Sequence, residues 1–174
     1  HRMRNMPIVS VFGSNGDIEP EVEALSEGLG KLILDLGCRL CCGGRGGVME
    51  AVCRGAKQSE NWSGGEIIGI LPEADDRNAN PHLDIVLPTG LGFSRNMLVA
   101  HAGDACIAIS GGAGTLSEIA VAWQIDKPIA VMSSTGGWAA ELAGRHLDRR
   151  RAEPVVELVD LDAARAWLTG ILGL

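Results

Sequence analysis

Glu118 closes the stretch Ser110-Gly111-Gly112-Ala113-Gly114-Thr115-Leu116-Ser117-Glu118, whose residue types and spacing point to anion chemistry. The apolar run Ala105-Cys106-Ile107-Ala108-Ile109 leads in, and the helical pattern Ile119-Ala120-Val121-Ala122-Trp123 leads out. Strand, glycine turn and helix N-terminus in that order expose backbone N–H groups at the positive end of a helix dipole, a seat for phosphate. Glu118 falls one turn inside the helix. A charged carboxylate there repels phosphate, so it reads as an acid, a base or a hydrogen-bond acceptor facing a sugar or a ring.

Two more glycine turns follow apolar runs: Gly13-Ser14-Asn15-Gly16 and Gly43-Gly44-Arg45-Gly46-Gly47. Three such turns on one rim make an anion-friendly shelf, so Gly13, Ser14, Gly43, Gly44, Gly46, Gly47, Gly111, Gly112 and Gly114 are candidate ligand contacts. Glycines used only for close packing are the competing reading. Arg95 lies in Thr89-Gly90-Leu91-Gly92-Phe93-Ser94-Arg95-Asn96, in the first turn of a predicted helix. The dipole disfavours a cation there, which suggests a use such as a bidentate clamp on phosphate or carboxylate. A surface ion pair is the alternative. The chain has no Gly-Lys-Ser/Thr and no full GxGxxG with a following acid, which argues against a Walker NTPase and a conventional NAD site.

Arg95, then Asp104, then an apolar strand, then Gly-Gly-Ala-Gly-Thr-Leu-Ser-Glu resembles the LOG-like Rossmann proteins, whose hallmark reads PGGxGTxxE. Gly43-Gly44-Arg45-Gly46-Gly47-Val48-Met49 resembles their GGxxGLM element, and the match covers about 8–132. The resemblance implies hydrolysis of a nucleoside 5′-monophosphate to free base and ribose 5-phosphate. It puts Arg95 and Glu118 at catalytic positions and Gly111, Gly112, Gly114 and Thr115 at phosphate-binding ones. Ser110 stands where the motif has proline, and Ser94 and Asn96 replace the acid and lysine flanking the arginine. The wording Ile70-Leu71-Pro72, Ala79-Asn80-Pro81, Thr89-Gly90 and Arg95-Asn96 is similar to a distinct branch that includes molybdenum-cofactor carriers. That branch implies a bound phosphorylated pterin, and Thr89, Gly90 and Asn96 join the candidate ligand contacts; the LOG-like resemblance as a whole implies a homodimer or higher homo-oligomer. Binding and carriage is therefore the leading function. A phosphoribohydrolase is the alternative, and a nucleotide-sensing signalling protein is a third reading. On the residues alone, Glu118 would stabilise an oxocarbenium-like charge or activate a water while Arg95 holds the ligand. No lysine sits beside these turns, which disfavours pyridoxal-dependent lysine decarboxylation.

These residues need a sheet to hold them. Apolar runs over 8–12, 39–42, 66–71, 84–87, 104–109, 128–132 and 155–159 read as strands. They alternate with helical patterns over 19–36, 48–59, 93–102, 115–125, 137–150 and 162–172. The expected fold is a single α/β domain over 3–174, with one doubly wound, mostly parallel Rossmann-like sheet of about seven strands and helices on both faces. His1-Arg2 reads as a remnant before a native start at Met3. The segment 73–82, with Asp75, Asp76, Arg77 and His82, is a lid or a solvated connection. Pro88 suggests an edge strand.

Composition narrows the function classes. Of 174 residues, 46% are hydrophobic, enough for a full core. The net charge of −7 disfavours a sequence-independent nucleic-acid binder. No apolar run reaches the ~18 residues of a membrane span. Five cysteines, an odd number, suggest a reduced cytoplasmic inventory rather than a disulfide framework. Cys41 and Cys42, adjacent on a strand, point to opposite faces, which argues for packing rather than zinc binding. His101 reads as a packed or surface histidine, Trp123 and Trp138 as core or dimer contacts, and Arg149-Arg150-Arg151 as a solvated helix end. No metal site is expected.

Overall fold

The computed structural model describes residues 6–174, so the readings of His1-Arg2 as a remnant and of Met3 as a start fall outside the described residues. Seven strands form one sheet: β1 Ile8–Gly13, β2 Arg39–Cys42, β3 Ile67–Leu71, β4 Ile85–Pro88, β5 Ala105–Ile109, β6 Ile129–Met132 and β7 Val156–Leu158. All six pairings are parallel, in the order β4-β3-β2-β1-β5-β6-β7. The chain steps outward from β1 to β4, then returns to β5 on the other side of β1. The switch point therefore lies between β1 and β5, where open α/β sheets bind ligands beyond the carboxyl ends of the strands. Pro88 sits on the edge strand β4, where a missing N–H costs no ladder bond.

Among the described residues six α-helices cover the sheet: α1 Pro20–Asp35, α2 Val48–Ala56, α3 Arg95–Ala102, α4 Ala113–Gln124, α5 Gly137–Leu142 and α6 Leu161–Leu172. Alternation along the strands feeds two cores. Val9, Val11, Leu40, Ile107 and Ile109 meet α1, α2 and α6 on one face. Phe12, Cys41, Cys106 and Ala108 meet α3, α4 and α5 on the other. Cys41 and Cys42 thus enter different cores, and all five cysteines are free and buried. Among the described residues no helix is long and apolar enough to cross a membrane.

α1 and α2 touch backbone to backbone. A Cβ on Gly30 would stand 1.9 Å from the Val52 carbonyl oxygen, and one on Gly55 would stand 1.9 Å from that of Glu27. Backbone cannot yield as a flexible side chain does. Gly55→Ala is expected to destabilise the protein by about 2–3 kcal/mol, read as a lower urea midpoint at unchanged slope. A loss below about 0.5 kcal/mol would show that the helices separate freely.

α3 starts at Arg95 rather than 93, after a 3-10 turn, and two helices end three or more residues short of their sequence pattern. α2 ends at Ala56, and its continuation to 59 is a turn in which Ser59 Oγ donates to Asp35 at 2.6 Å. α5 ends at Leu142 rather than 150. Gly144 takes φ +71, and the chain turns so that Gly144 N–H donates to Val155 and Val155 N–H donates to Arg145. Arg149-Arg150-Arg151 is consequently no helix end. Arg150 pairs with Asp148 at 2.8 Å, and Arg151 lies 4.9 Å above the buried ring of Trp123. Trp138 and His101 are both exposed, so Trp138 is not a core residue.

Candidate functional site

A cavity of about 450 Å³ opens at the carboxyl ends of β3, β2, β1 and β5, within the size range of small-molecule sites. Of the residues singled out from sequence, Gly13, Ser14, Arg95, Asn96, Gly112, Gly114, Thr115 and Glu118 line it.

The β5 side is the most open to a ligand. Gly112 caps α4 without any side-chain bond, and the N–H groups of Ala113, Gly114 and Thr115 make no hydrogen bond within the described residues. A Cβ on Gly112 would meet nothing within 4 Å, and one on Gly114 would meet only Asn96 Nδ2 at 4.0 Å. Space therefore exists directly over the donors. Gly111 instead serves the turn itself. Its φ is +98, and a Cβ there would lie 2.3 Å from that of Thr115. Thr115 is buried, and its hydroxyl has no partner among the described residues. Ser110 takes φ +49 and donates its N–H to Thr135 Oγ1 at 2.7 Å. A proline is barred from this position twice over, by its fixed φ and by its missing N–H.

Arg95 is buried by the fold. Its Nε donates to the Ile70 carbonyl at 3.0 Å, Nη2 to that of Gly43 at 3.4 Å, and Nη1 to Asn96 Oδ1. Since arginine only donates, Asn96 must present its oxygen here, which turns its Nδ2 to Ser117 Oγ at 2.9 Å. Ser117 in turn donates to the Gly114 carbonyl at 2.7 Å, tying α3 to the first turn of α4. A guanidinium has five N–H donors, so two remain for a ligand. The surface ion pair considered for Arg95 does not form. Burial depresses its pKa, opposed by the charge of Glu118.

Glu118 is 6% exposed, and no hydrogen bond or ion pair joins its carboxyl to another described residue. Burial raises its pKa from the ordinary 4.5 to about 8, against the pull of Arg95. At neutral pH it is therefore mostly a neutral carboxylic acid, a donor that does not repel phosphate.

The other singled-out residues stand behind the wall. Gly47, at φ +59, would place a Cβ 2.3 Å from the Ser14 carbonyl oxygen. Gly43 offers its carbonyl to Arg95, and Gly44 offers its own to the Asn80 N–H. Gly46 N–H donates to Asn15 Oδ1 at 3.0 Å, clamping the first two glycine turns together. Thr89 Oγ1 donates to Leu71, and Gly90 N–H donates to Glu73. The segment 73–82 is pinned through Asn80, whose Nδ2 donates to the Arg45 carbonyl at 3.1 Å. Sequence reasoning did not single out Asn15, Arg45, Met49, Pro72, Gly92 and Phe93 as contacts, and all of them line the cavity. Asn15 and Arg45 did carry a signal, as polar residues between glycines of the turns.

A family model described as the SLOG cluster4 family matches residues 6–159. The chain belongs to that family. This SLOG cluster4 protein is 39% identical over 122 residues to an uncharacterized protein of Archaeoglobus fulgidus, covering 70% of this chain and 77% of that one. It is 27% identical to a cytokinin riboside 5′-monophosphate phosphoribohydrolase of Mycobacterium marinum, with 90% of each chain covered. Its fold matches the molybdenum cofactor binding protein of Rippkaea orientalis with a TM-score of 0.83 and 32% identity, covering 98% of this chain and 99% of that one.

Proposed function

We propose that this protein binds and carries a small phosphorylated ligand of the molybdenum-cofactor type, a phosphorylated pterin, with the phosphate seated on the first turn of α4. The observation that carries this reading is the open helix N-terminus. Three N–H groups and the Thr115 hydroxyl have no partner among the described residues, and a Cβ on Gly112 or Gly114 would meet nothing closer than 4.0 Å. The two spare donors of Arg95 suit a bidentate grip on phosphate, and neutral Glu118 adds a donor instead of a repelling charge. The likeness to the Rippkaea protein supports the pterin. No cysteine is among the lining residues, so the ligand would be held through phosphate and ring rather than through thiolate. The exposed side chains of Leu91, Met97 and Leu98 near the cavity support the homo-oligomer implied by the family resemblance.

A second reading rests on Glu118. A carboxyl that titrates near neutrality suits general acid catalysis, and a nucleoside monophosphate would place its leaving base within the same cavity. The N-glycosidic bond would break as the Glu118 proton passes to the base, the oxygen of one water would bond to the ribose anomeric carbon, and the proton that water releases would return to Glu118. Incubation with AMP, assayed for ribose 5-phosphate, and equilibrium dialysis with a phosphorylated pterin separate the two. The expected result is pterin retention without AMP turnover. Multiple turnovers of AMP would replace carriage with hydrolysis, and binding of neither compound would remove both readings.

A further inference from the structure

Phe93 is the one aromatic residue among those lining the cavity, and it is 92% exposed. Its backbone, by contrast, is firmly held. It sits in a 3-10 turn, Gly92–Ser94, where Gly92 N–H donates to Pro72 at 3.0 Å and Ser94 N–H to Leu91 at 3.2 Å. One step earlier, Gly90 N–H donates to Glu73 at 2.9 Å, and Leu91 N–H donates to Thr89 Oγ1. A fixed turn thus presents a ring that the protein itself leaves bare at the cavity wall.

The cavity has a direction. Its wall follows the sheet order, from Pro72 after β3, through Arg45 after β2 and Gly13 at the end of β1, to Gly112 after β5. Three strand spacings of ~4.8 Å make a trough roughly 14 Å long. The backbone donors of α4 that lack partners among the described residues lie at its β5 end. The Phe93 turn is bonded to Pro72 at its β3 end. A phosphate alone fills one end of such a trough. A phosphate joined to a flat ring fills both.

We propose that Phe93 is a specificity-determining residue that stacks on the flat heteroaromatic ring of the ligand, at the β3 end of the trough, while α4 holds the phosphate at the other. This rests on the phosphate seat proposed above. The other exposed apolar residues nearby, Leu91, Met97 and Leu98, do not line the cavity, which sets Phe93 apart from them.

The test compares AMP with ribose 5-phosphate, the same phosphate and sugar without the ring. Both are titrated calorimetrically into the wild type, Phe93→Ala and Phe93→Leu, with molecular mass followed by sedimentation. Leucine keeps apolar bulk but removes the ring face. The side chain is exposed, so the variants are expected to keep the wild-type melting temperature. AMP affinity is expected to fall about tenfold or more in both variants, the scale of one aromatic stack on a base. Ribose 5-phosphate affinity is expected to change less than about twofold, at constant mass. Unchanged AMP affinity, an equal loss for both compounds, or a fall in mass that tracks the loss of affinity would each overturn the stacking role. Ribose 5-phosphate binding to the wild type alongside any of these outcomes would leave the phosphate seat standing. If neither compound binds the wild type, the seat falls and the stacking role with it.

Discussion

Glu118→Gln will stabilise the protein at pH 7 by about 3 kcal/mol and leave its stability nearly unchanged at pH 4. The sign follows from the direction of the shift. Burial lifts the folded-state pKa to about 8 from an ordinary 4.5. Below about 4.5 the carboxyl is protonated in both states and favours neither. Between about 4.5 and 8 the unfolded chain ionises while the folded one keeps its proton, so stability falls by about 1.4 kcal/mol for each pH unit gained. Above about 8 both states are ionised and the penalty is complete. Glutamine removes the titration and keeps the shape. At pH 7 the melting temperature is expected to rise by roughly 6–12 °C, and the gain should shrink steadily toward pH 4.5. Ligand binding should show the same group. In the wild type, affinity for a phosphorylated ligand should decline as pH passes about 8 and Glu118 becomes an anion in the cavity. In Glu118→Gln that decline should vanish. A gain independent of pH would show that the carboxyl titrates near its ordinary value and that the variant acts through packing alone.

A buried acid that weakens the fold at the pH of use is the kind of group that functional sites, more than cores, retain, which agrees with the site proposed above. Its position was legible in the sequence, because the run Ala105–Ile109, the glycine turn and the following helical pattern fix a strand, a turn and a helix start without tertiary information. Its protonation was not legible, because the shift arises from burial that only the assembled helices α3 and α4 supply. The glycine turns show the same divide. Gly112 and Gly114 leave space for a ligand, whereas Gly43, Gly44 and Gly47 would place a Cβ against this protein's own atoms. Both uses select glycine for the same missing atom, so residue type cannot separate them. The helical pattern past Leu142 misled for a related reason. Alanine, leucine and arginine around Gly144 favour helix locally, while the turn there is set by pairing of Gly144 and Arg145 with Val155. The helical pattern over 93–102 takes in Phe93, but α3 starts at Arg95, and only the fold of the preceding turn onto Pro72 places Phe93 at the cavity.

The largest loss should come from Arg95. Arg95→Ala is expected to cost about 3–5 kcal/mol of stability, because one buried cation serves three acceptors on separate segments. Ile70 lies in β3, Gly43 follows β2, and Asn96 connects through Ser117 to α4. Without the guanidinium these groups lose their donor, and Asn96 loses the contact that orients its amide. Arg95→Lys separates charge from geometry. Lysine keeps a cation but offers one ammonium, which cannot reach three divergent acceptors and still present two parallel donors to a ligand. The lysine variant is therefore expected to lose about 2 kcal/mol in urea unfolding and about 100-fold in affinity for a phosphorylated ligand. If it binds within tenfold of the wild type, the cavity reads only positive charge, and the fork held by Ile70, Gly43 and Asn96 is structural. If its stability is unchanged while binding collapses, the fork belongs to the ligand and the carbonyl contacts are incidental. Joint loss of both is the expected outcome, because the same three bonds that anchor the guanidinium leave two donors free for the phosphate proposed above.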